Sequence, residues 1–209
     1  VYGRALAQTA GTAVMRFANA ELLPYDFTNF AETVRQYSEE LQKLAENMRE
    51  EIAERNTQIE EGVFAAIADS RQRFVPPPVE ALPPYLNFAP LENAVAALTR
   101  SAEIYDKAAA KFRQAGRAVP KELNQKLLQS ERKLTLKDGL PNRPWFKHQI
   151  YAPGFYTGYG VKTLPAVREA IEQKQWQEAE AQIARVAKVL TEMAAHIESA
   201  AADLESATR

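Results

Sequence analysis

The strongest constraint on the fold is a stripe of apolar residues between positions 183 and 204. Apolar side chains recur there at alternating steps of three and four residues, the period of one face of an α-helix. The stripe consists of Ile183, Val186, Leu190, Met193, Ile197, Ala200 and Leu204. A stripe this regular is typical of helical bundles and coiled coils. It predicts a long amphipathic helix that begins near Trp176 and packs against other helices.

The same period recurs in earlier segments, and together they predict an all-α fold. The first helix is expected to end near Leu22, because Pro24 follows. Asn29 and Glu32 have the spacing of a capping box and predict the start of the second helix. The later helices are predicted from 29 to 52 with an extension to 67, from 90 to 115, from 120 to 134, and from 165 to about 174. We therefore expect an up-and-down four-helix bundle.

Two segments interrupt the helical pattern. Residues 74–90 contain six prolines, too many missing amide donors for a helix interior, and predict an extended connection. Residues 139–164 concentrate aromatic residues, glycine and proline without periodicity, and predict an ordered non-helical loop.

Composition favours one helical domain covering residues 1–209. The formal charge is -1, from 26 basic and 27 acidic residues, which argues against a nucleic-acid partner. No apolar run approaches the length of a membrane span, so we expect no membrane contact from this segment. Because the chain starts at Val1 within a helical pattern, we expect it to be the C-terminal part of a longer protein.

Residues that could carry metal or acid-base chemistry are sparse. His148 and His196 are far apart and lack the spacing of paired metal ligands, and there is no cysteine. The glycines around Tyr159 follow no hydrophobic strand, so they do not indicate a dinucleotide-binding turn. The sequence predicts no catalytic residue, no metal ligand and no cofactor in this chain.

One segment resembles a known family. It reads Gly-Leu-Pro-Asn-Arg-Pro-Trp-Phe-Lys-His at 139–148, followed by Ile-Tyr-Ala-Pro at 150–153. This string is similar to one in the glutamate carboxypeptidase II family of M28 zinc peptidases. The resemblance implies a transferrin receptor-like dimerisation domain, a helical bundle that forms a homodimer and packs on a peptidase domain preceding it. Zinc and the catalytic base would belong to that peptidase domain, and the whole protein would be exported or membrane-anchored.

Other parent proteins fit the same residues. The family includes the transferrin receptor, so a non-catalytic receptor-like parent is the alternative, and a free-standing helical adaptor is a third. Paired metal ligands in the preceding sequence would favour the peptidase.

The resemblance also implies roles for residues of the loop. In carboxypeptidases of the family this loop reaches into the substrate pocket, where a Lys-Tyr pair holds the terminal carboxylates of the substrate. Here the pair reads Gly158-Tyr159, with Tyr151 and Lys162 nearby. Arg143 and His148 have two possible roles: lining the rim of the active-site cleft, or anchoring the loop through buried polar contacts. We favour anchoring, because a loop rich in proline and aromatic residues needs such contacts to be ordered.

The C-terminal stripe supplies the candidates for a homodimer interface. They are Ile183, Val186, Leu190, Met193, Ile197 and Leu204, with the loop 151–164 as a second contributor.

Overall fold

The computed structural model describes residues 2–68, 71 and 73–209, and it confirms the all-α prediction with the addition of one small hairpin. In chain order the elements are α1 (Tyr2–Ala18), α2 (Phe27–Glu60), α3 (Val63–Ala66), α4 (Ala89–Ala115), α5 (Lys121–Leu127), α6 (Ser130–Lys133), β1 (Tyr151–Pro153), β2 (Val161–Thr163), α7 (Pro165–Glu172) and α8 (Trp176–Thr208).

The core lies along α4, which packs against both α8 and α2. Leu98 and Ala102 of α4 are fully buried, and Tyr105 meets Phe27 of α2 edge to face with ring centroids 4.9 Å apart. The short helices α5, α6 and α7 also pack against α8. The bundle is therefore built on α2, α4 and α8, with the short helices closing its sides.

The first predicted helix forms, but it contributes no buried residue to the core. It ends at Ala18, and the turn that follows is tied to α5 by one side chain. The Asn124 amide accepts from the Leu23 backbone N–H at 3.1 Å and donates to the Glu21 carbonyl at 2.6 Å. The elbow between α1 and α2 is thus fixed, while the apolar side of α1 remains exposed.

The start of α2 differs from the predicted capping box. Asp26 is the N-cap, and its carboxylate accepts from the Asn29 N–H at 2.9 Å. This bond, together with one that the Thr28 hydroxyl donates to the same carboxylate at 2.8 Å, lowers the pKa of Asp26. Glu32 pairs instead with Arg35, one turn further on, at 2.6 Å. The helix therefore begins at Phe27, because an aspartate directly before the first turn satisfies the free amides.

The proline-rich segment is an extended connection, as predicted, with neither helix nor strand between 73 and 88. The side-chain amide of Asn56 on α2 pairs with both backbone groups of Glu80, at 2.7 and 3.0 Å. Arg49 donates to the Pro83 carbonyl and lies 4.0 Å from the Tyr85 ring centroid. Side chains of α2 thus replace the hydrogen bonds that the segment cannot make with itself.

The stripe on α8 faces the interior of the chain. Its six candidate interface residues are 0–2% exposed: Ile183, Val186, Leu190, Met193, Ile197 and Leu204. Burial within the chain argues against the predicted interface role of these six residues, because side chains packed in the core have no free surface to offer a partner. Any interface on α8 must use its exposed residues.

Candidate functional site

The loop carrying the predicted pocket residues is a β-hairpin, which we call the arm (residues 151–163). β1 and β2 pair antiparallel, with Tyr151 opposite Thr163 and Ala152 opposite Lys162. Gly154 closes the turn, since its N–H donates to the Gly160 carbonyl at 2.9 Å. The hairpin was not predicted, because strands of three residues are too short to show an alternating pattern.

The tip of the arm is open to solvent. The Tyr159 side chain is fully exposed, and Tyr156 is 76% exposed. Gly158 adopts a positive φ of 59°, and a Cβ placed there would meet nothing within 4 Å. Glycine is favoured at that backbone conformation, whereas a lysine would be strained there. The turn therefore favours the glycine found at position 158 over the lysine expected from the family resemblance.

The four predicted pocket residues share one hairpin but do not converge on one point. Tyr151 and Lys162 face opposite sides, because directly opposed residues share a face and neighbours alternate. The Lys162 ammonium lies 2.6 Å from Glu172 of α7. It is therefore engaged by this chain, while the Tyr159 hydroxyl remains available.

His148 anchors the start of the arm. Its Nδ1 accepts from the backbone N–H groups of Ile150 and Tyr151, at 3.2 and 3.3 Å. The Tyr151 hydroxyl donates to Glu131 at 2.8 Å, and His148 Nε2 lies 2.9 Å from the same carboxylate oxygen. Burial lowers the pKa of His148 more than Glu131 raises it. The hydrogen bond to Glu131 raises the pKa of Tyr151.

Arg143 anchors the other side of the arm, through a partner that the sequence did not reveal. Arg143 is 2% exposed, and its Nη2 lies 2.8 and 2.7 Å from the two carboxylate oxygens of Glu169 on α7. Glu169 also accepts from the Phe155 backbone N–H at 2.8 Å. A buried arginine requires an anion, but the sequence offers 27 acidic residues and no rule for choosing among them.

The described residues do not fit a catalytic metal. In ranges 2–68 and 73–209, no three histidine, aspartate or glutamate side chains lie close enough together to hold a metal ion. His196 has a different partner from His148, since its Nε2 lies 3.1 Å from the Lys126 carbonyl on α5. Within the same ranges, no helix is long and apolar enough to cross a membrane.

Comparison with known proteins places these features in a family. A family model for the transferrin receptor-like dimerisation domain matches residues 86–198, more than half of the chain, including the arm and both of its anchors. The chain is 30% identical to the probable glutamate carboxypeptidase LAMP1 of Arabidopsis thaliana over 193 residues, covering 89% of this chain and 23% of that protein. It is 26% identical to a probable glutamate carboxypeptidase of Arthroderma benhamiae over 170 residues, covering 80% of this chain and 19% of that protein.

The chain thus spans about a fifth of the length of these curated relatives. It belongs to the family of transferrin receptor-like dimerisation domains.

Proposed function

We propose that this chain is the dimerisation domain of a zinc-dependent glutamate carboxypeptidase and that its arm forms part of the substrate pocket. The observation that supports this most directly is the match over residues 86–198, together with relatives named as glutamate carboxypeptidases. Zinc and the residues that activate water belong, in this proposal, to a peptidase domain elsewhere in the whole protein. The described part of this chain has no ligand set for them.

The arm contributes binding and no hydrolytic step. Tyr159 is the group best placed to meet a substrate, because its side chain is free of contacts with this chain and its hydroxyl can donate to a carboxylate. Lys162 is a weaker candidate, since Glu172 already neutralises its ammonium. Recognition of an acidic substrate terminus by this arm thus depends on a neutral donor.

The exposed helix α1 supports the existence of a covering domain. Leu6 is 71% exposed, Val14 66% and Phe17 54%, and all lie within a helix of 17 residues. Most helical stability in proteins comes from packing an apolar face, and α1 buries none of its residues against this chain. We therefore propose that the peptidase domain packs on α1, whose direction the Asn124 elbow fixes.

The arm's role can be tested in the full-length protein by a single-atom change. Tyr159→Phe removes the hydroxyl and is expected to raise KM for a peptide ending in glutamate by about tenfold at nearly constant kcat. Tyr85→Phe is the matched control, because Tyr85 is 81% exposed and lies outside the arm. An unchanged KM in Tyr159→Phe would refute the proposed contact.

Replacing the tip glycine provides an independent test of the same pocket. Gly158→Lys restores a cation beside Tyr159 and is expected to improve turnover of glutamate-terminated substrates. The positive φ of Gly158 opposes the change by about 1 kcal/mol. An unchanged or lower kcat/KM in a variant of normal stability would count against this alignment of the arm.

Homodimerisation is the second part of the proposal. With the stripe on α8 buried, the interface must come from exposed residues, for which the arm is the predicted contributor. Light scattering over a concentration series should show a mass of two chains for the full-length protein. A strictly monomeric mass at the highest soluble concentration would overturn the dimer.

A further inference from the structure

We infer that Glu169 is the residue that positions the arm for substrate, acting through Arg143 and the backbone of Phe155. This inference rests on the function proposed above, since the arm matters for specificity only if it meets a substrate. Glu169 lies on α7 and is largely buried, so it acts on the arm from within the chain and does not meet a substrate itself.

The carboxylate of Glu169 is the point where three parts of the chain meet. It lies on α7, it receives Arg143 from the segment before the arm, and it receives the N–H of Phe155 from the turn of the arm. Both charged side chains are largely buried, at 2% exposed for Arg143 and 12% for Glu169. The ion pair with Arg143 and the hydrogen bond from Phe155 therefore fix where the turn leaves the bundle.

Replacing one member of the Arg143–Glu169 ion pair by a neutral side chain is expected to be unfavourable. In the described part of the chain, Nε and Nη1 of Arg143 are buried without a hydrogen-bond partner. Glu169 is thus the acceptor that balances the arginine charge, and removing one member of a buried ion pair leaves the other uncompensated. The ring centroids of Phe146 and Phe155 each lie 5.8 Å from the guanidinium carbon, so aromatic faces and not further anions border the pair there.

The backbone bond to Phe155 connects this pair to the tip. Phe155 follows Gly154, the residue whose N–H closes the turn on Gly160. Gly154 has almost no space around it, because a Cβ there would lie 2.1 Å from the Thr157 hydroxyl. A shift of Phe155 and Gly154 therefore reaches Thr157, whose hydroxyl donates to the Gly160 carbonyl at 3.0 Å. Thr157 and Gly160 flank Gly158 and Tyr159.

The other anchors of the arm act elsewhere. Glu131 holds Tyr151 and His148 at the first strand, and Glu172 holds Lys162 on the second. Within the described ranges 2–68 and 73–209, neither carboxylate has a hydrogen bond or ion pair to the turn between residues 154 and 160. Glu169 is therefore the carboxylate whose loss moves the tip while both strands remain held.

The test uses Glu169→Gln in the full-length protein. In the wild-type protein, Glu169 Oε1 accepts from both Arg143 and Phe155, and Oε2 accepts from Arg143. Glutamine keeps one acceptor oxygen but has no charge and turns an amide donor toward the guanidinium, so Arg143 loses its counter-charge and the site must rearrange. Glu32→Gln is the matched control, because Glu32 also pairs with an arginine, Arg35, on the exposed side of α2. Glu169→Asp keeps the charge with a shorter reach and provides a second variant if Glu169→Gln folds poorly.

Amide hydrogen exchange is the first readout, and it requires no substrate. The Phe155 amide and the rest of the turn should exchange about tenfold faster in Glu169→Gln, with an intermediate effect in Glu169→Asp and none in Glu32→Gln. Circular dichroism should show that the variants retain their helices. Unchanged exchange in the turn of a folded Glu169→Gln protein would overturn the inference.

Kinetics with a peptide ending in glutamate is the second readout. A displaced tip should raise KM by about tenfold with kcat within about twofold, since the arm binds and takes no part in hydrolysis. Faster exchange with unchanged KM would overturn the claim that Glu169 positions the arm for substrate. If the wild-type protein cleaves no such peptide while the turn still loosens, the proposed function fails and Glu169 remains a structural anchor.

Discussion

Replacement of Leu190 by alanine tests whether the stripe on α8 is core or interface. Leu190 is fully buried within the chain. The substitution removes three carbon atoms, whose transfer from water to the interior contributes about 2–3 kcal/mol, and the remaining cavity adds to this loss. We expect the free energy of unfolding to fall by about 3 kcal/mol. For a chain of this size that corresponds to a decrease in Tm of roughly 6–12 °C.

The assay is urea unfolding followed by circular dichroism at two protein concentrations tenfold apart. Leu128→Ala is the matched control, since Leu128 is 54% exposed and the same atoms are removed. The control should lose no more than about 0.5 kcal/mol. A core role for Leu190 lowers the midpoint by the same amount at both concentrations.

An interface role has a different signature. If Leu190 stabilised a dimer, the loss would grow on dilution, and light scattering would show the mass falling to one chain. A change below about 1 kcal/mol in the isolated chain, or a loss confined to low concentration, would refute the reasoning from burial.

Two further predictions follow from backbone geometry and from histidine burial. Gly139→Ala should destabilise the chain by more than about 2 kcal/mol in urea unfolding, because φ is +70° and a Cβ would lie 2.3 Å from the Pro144 carbonyl oxygen. Gly116→Ala, at φ +60° with open space, should lose only about 1 kcal/mol. Acidification should also destabilise the chain, since burial lowers the pKa of His148 and His196. The unfolded chain binds more protons, so stability is complete above about pH 6.5 and falls as pH drops below it. An unchanged urea midpoint between pH 7.5 and pH 5.5 would contradict this.

Helices were predictable from sequence because their signal is local. The period of three and four residues located α2, α4 and α8, and the predicted break near Lys174 coincides with a positive φ of 57° at that residue. Residues 63–66 form a separate short helix, because Gly62 takes a left-handed conformation and ends α2. Boundaries that depend on one residue were less predictable, as the Asp26 cap illustrates.

What covers an apolar stripe could not be read from the sequence. The stripes of α1 and α8 have the same period, yet Phe17 is 54% exposed and Ile197 is fully buried. Periodicity reports that a face is apolar and contains no information on which surface meets it. The stripe alone therefore could not decide whether α8 serves the core or a dimer interface.

Pairings over long separations were also outside the reach of sequence patterns. Arg143 and Glu169 lie 26 positions apart, and Asn124 meets Leu23 across 101 positions. Each pair forms only after the helices have packed, so nothing local in either segment indicates it. The anchoring role of Arg143 is predicted because a loop rich in proline and aromatic residues needs buried polar contacts to be ordered, whereas its partner Glu169 is apparent only from the fold.

The packing of the short helices explains how one domain can combine the two roles proposed for it. Glu131 lies on α6 and Glu169 on α7, and both helices pack against α8. The anchors of the arm therefore rest on the same long helix that forms the centre of the bundle. Interiors are close-packed and transmit strain, so a displacement of α8 moves both anchors together. The arm is thus attached to the bundle through both anchors, and we expect its tip to keep one position for as long as the core of α8 and the contacts of Glu131 and Glu169 remain intact.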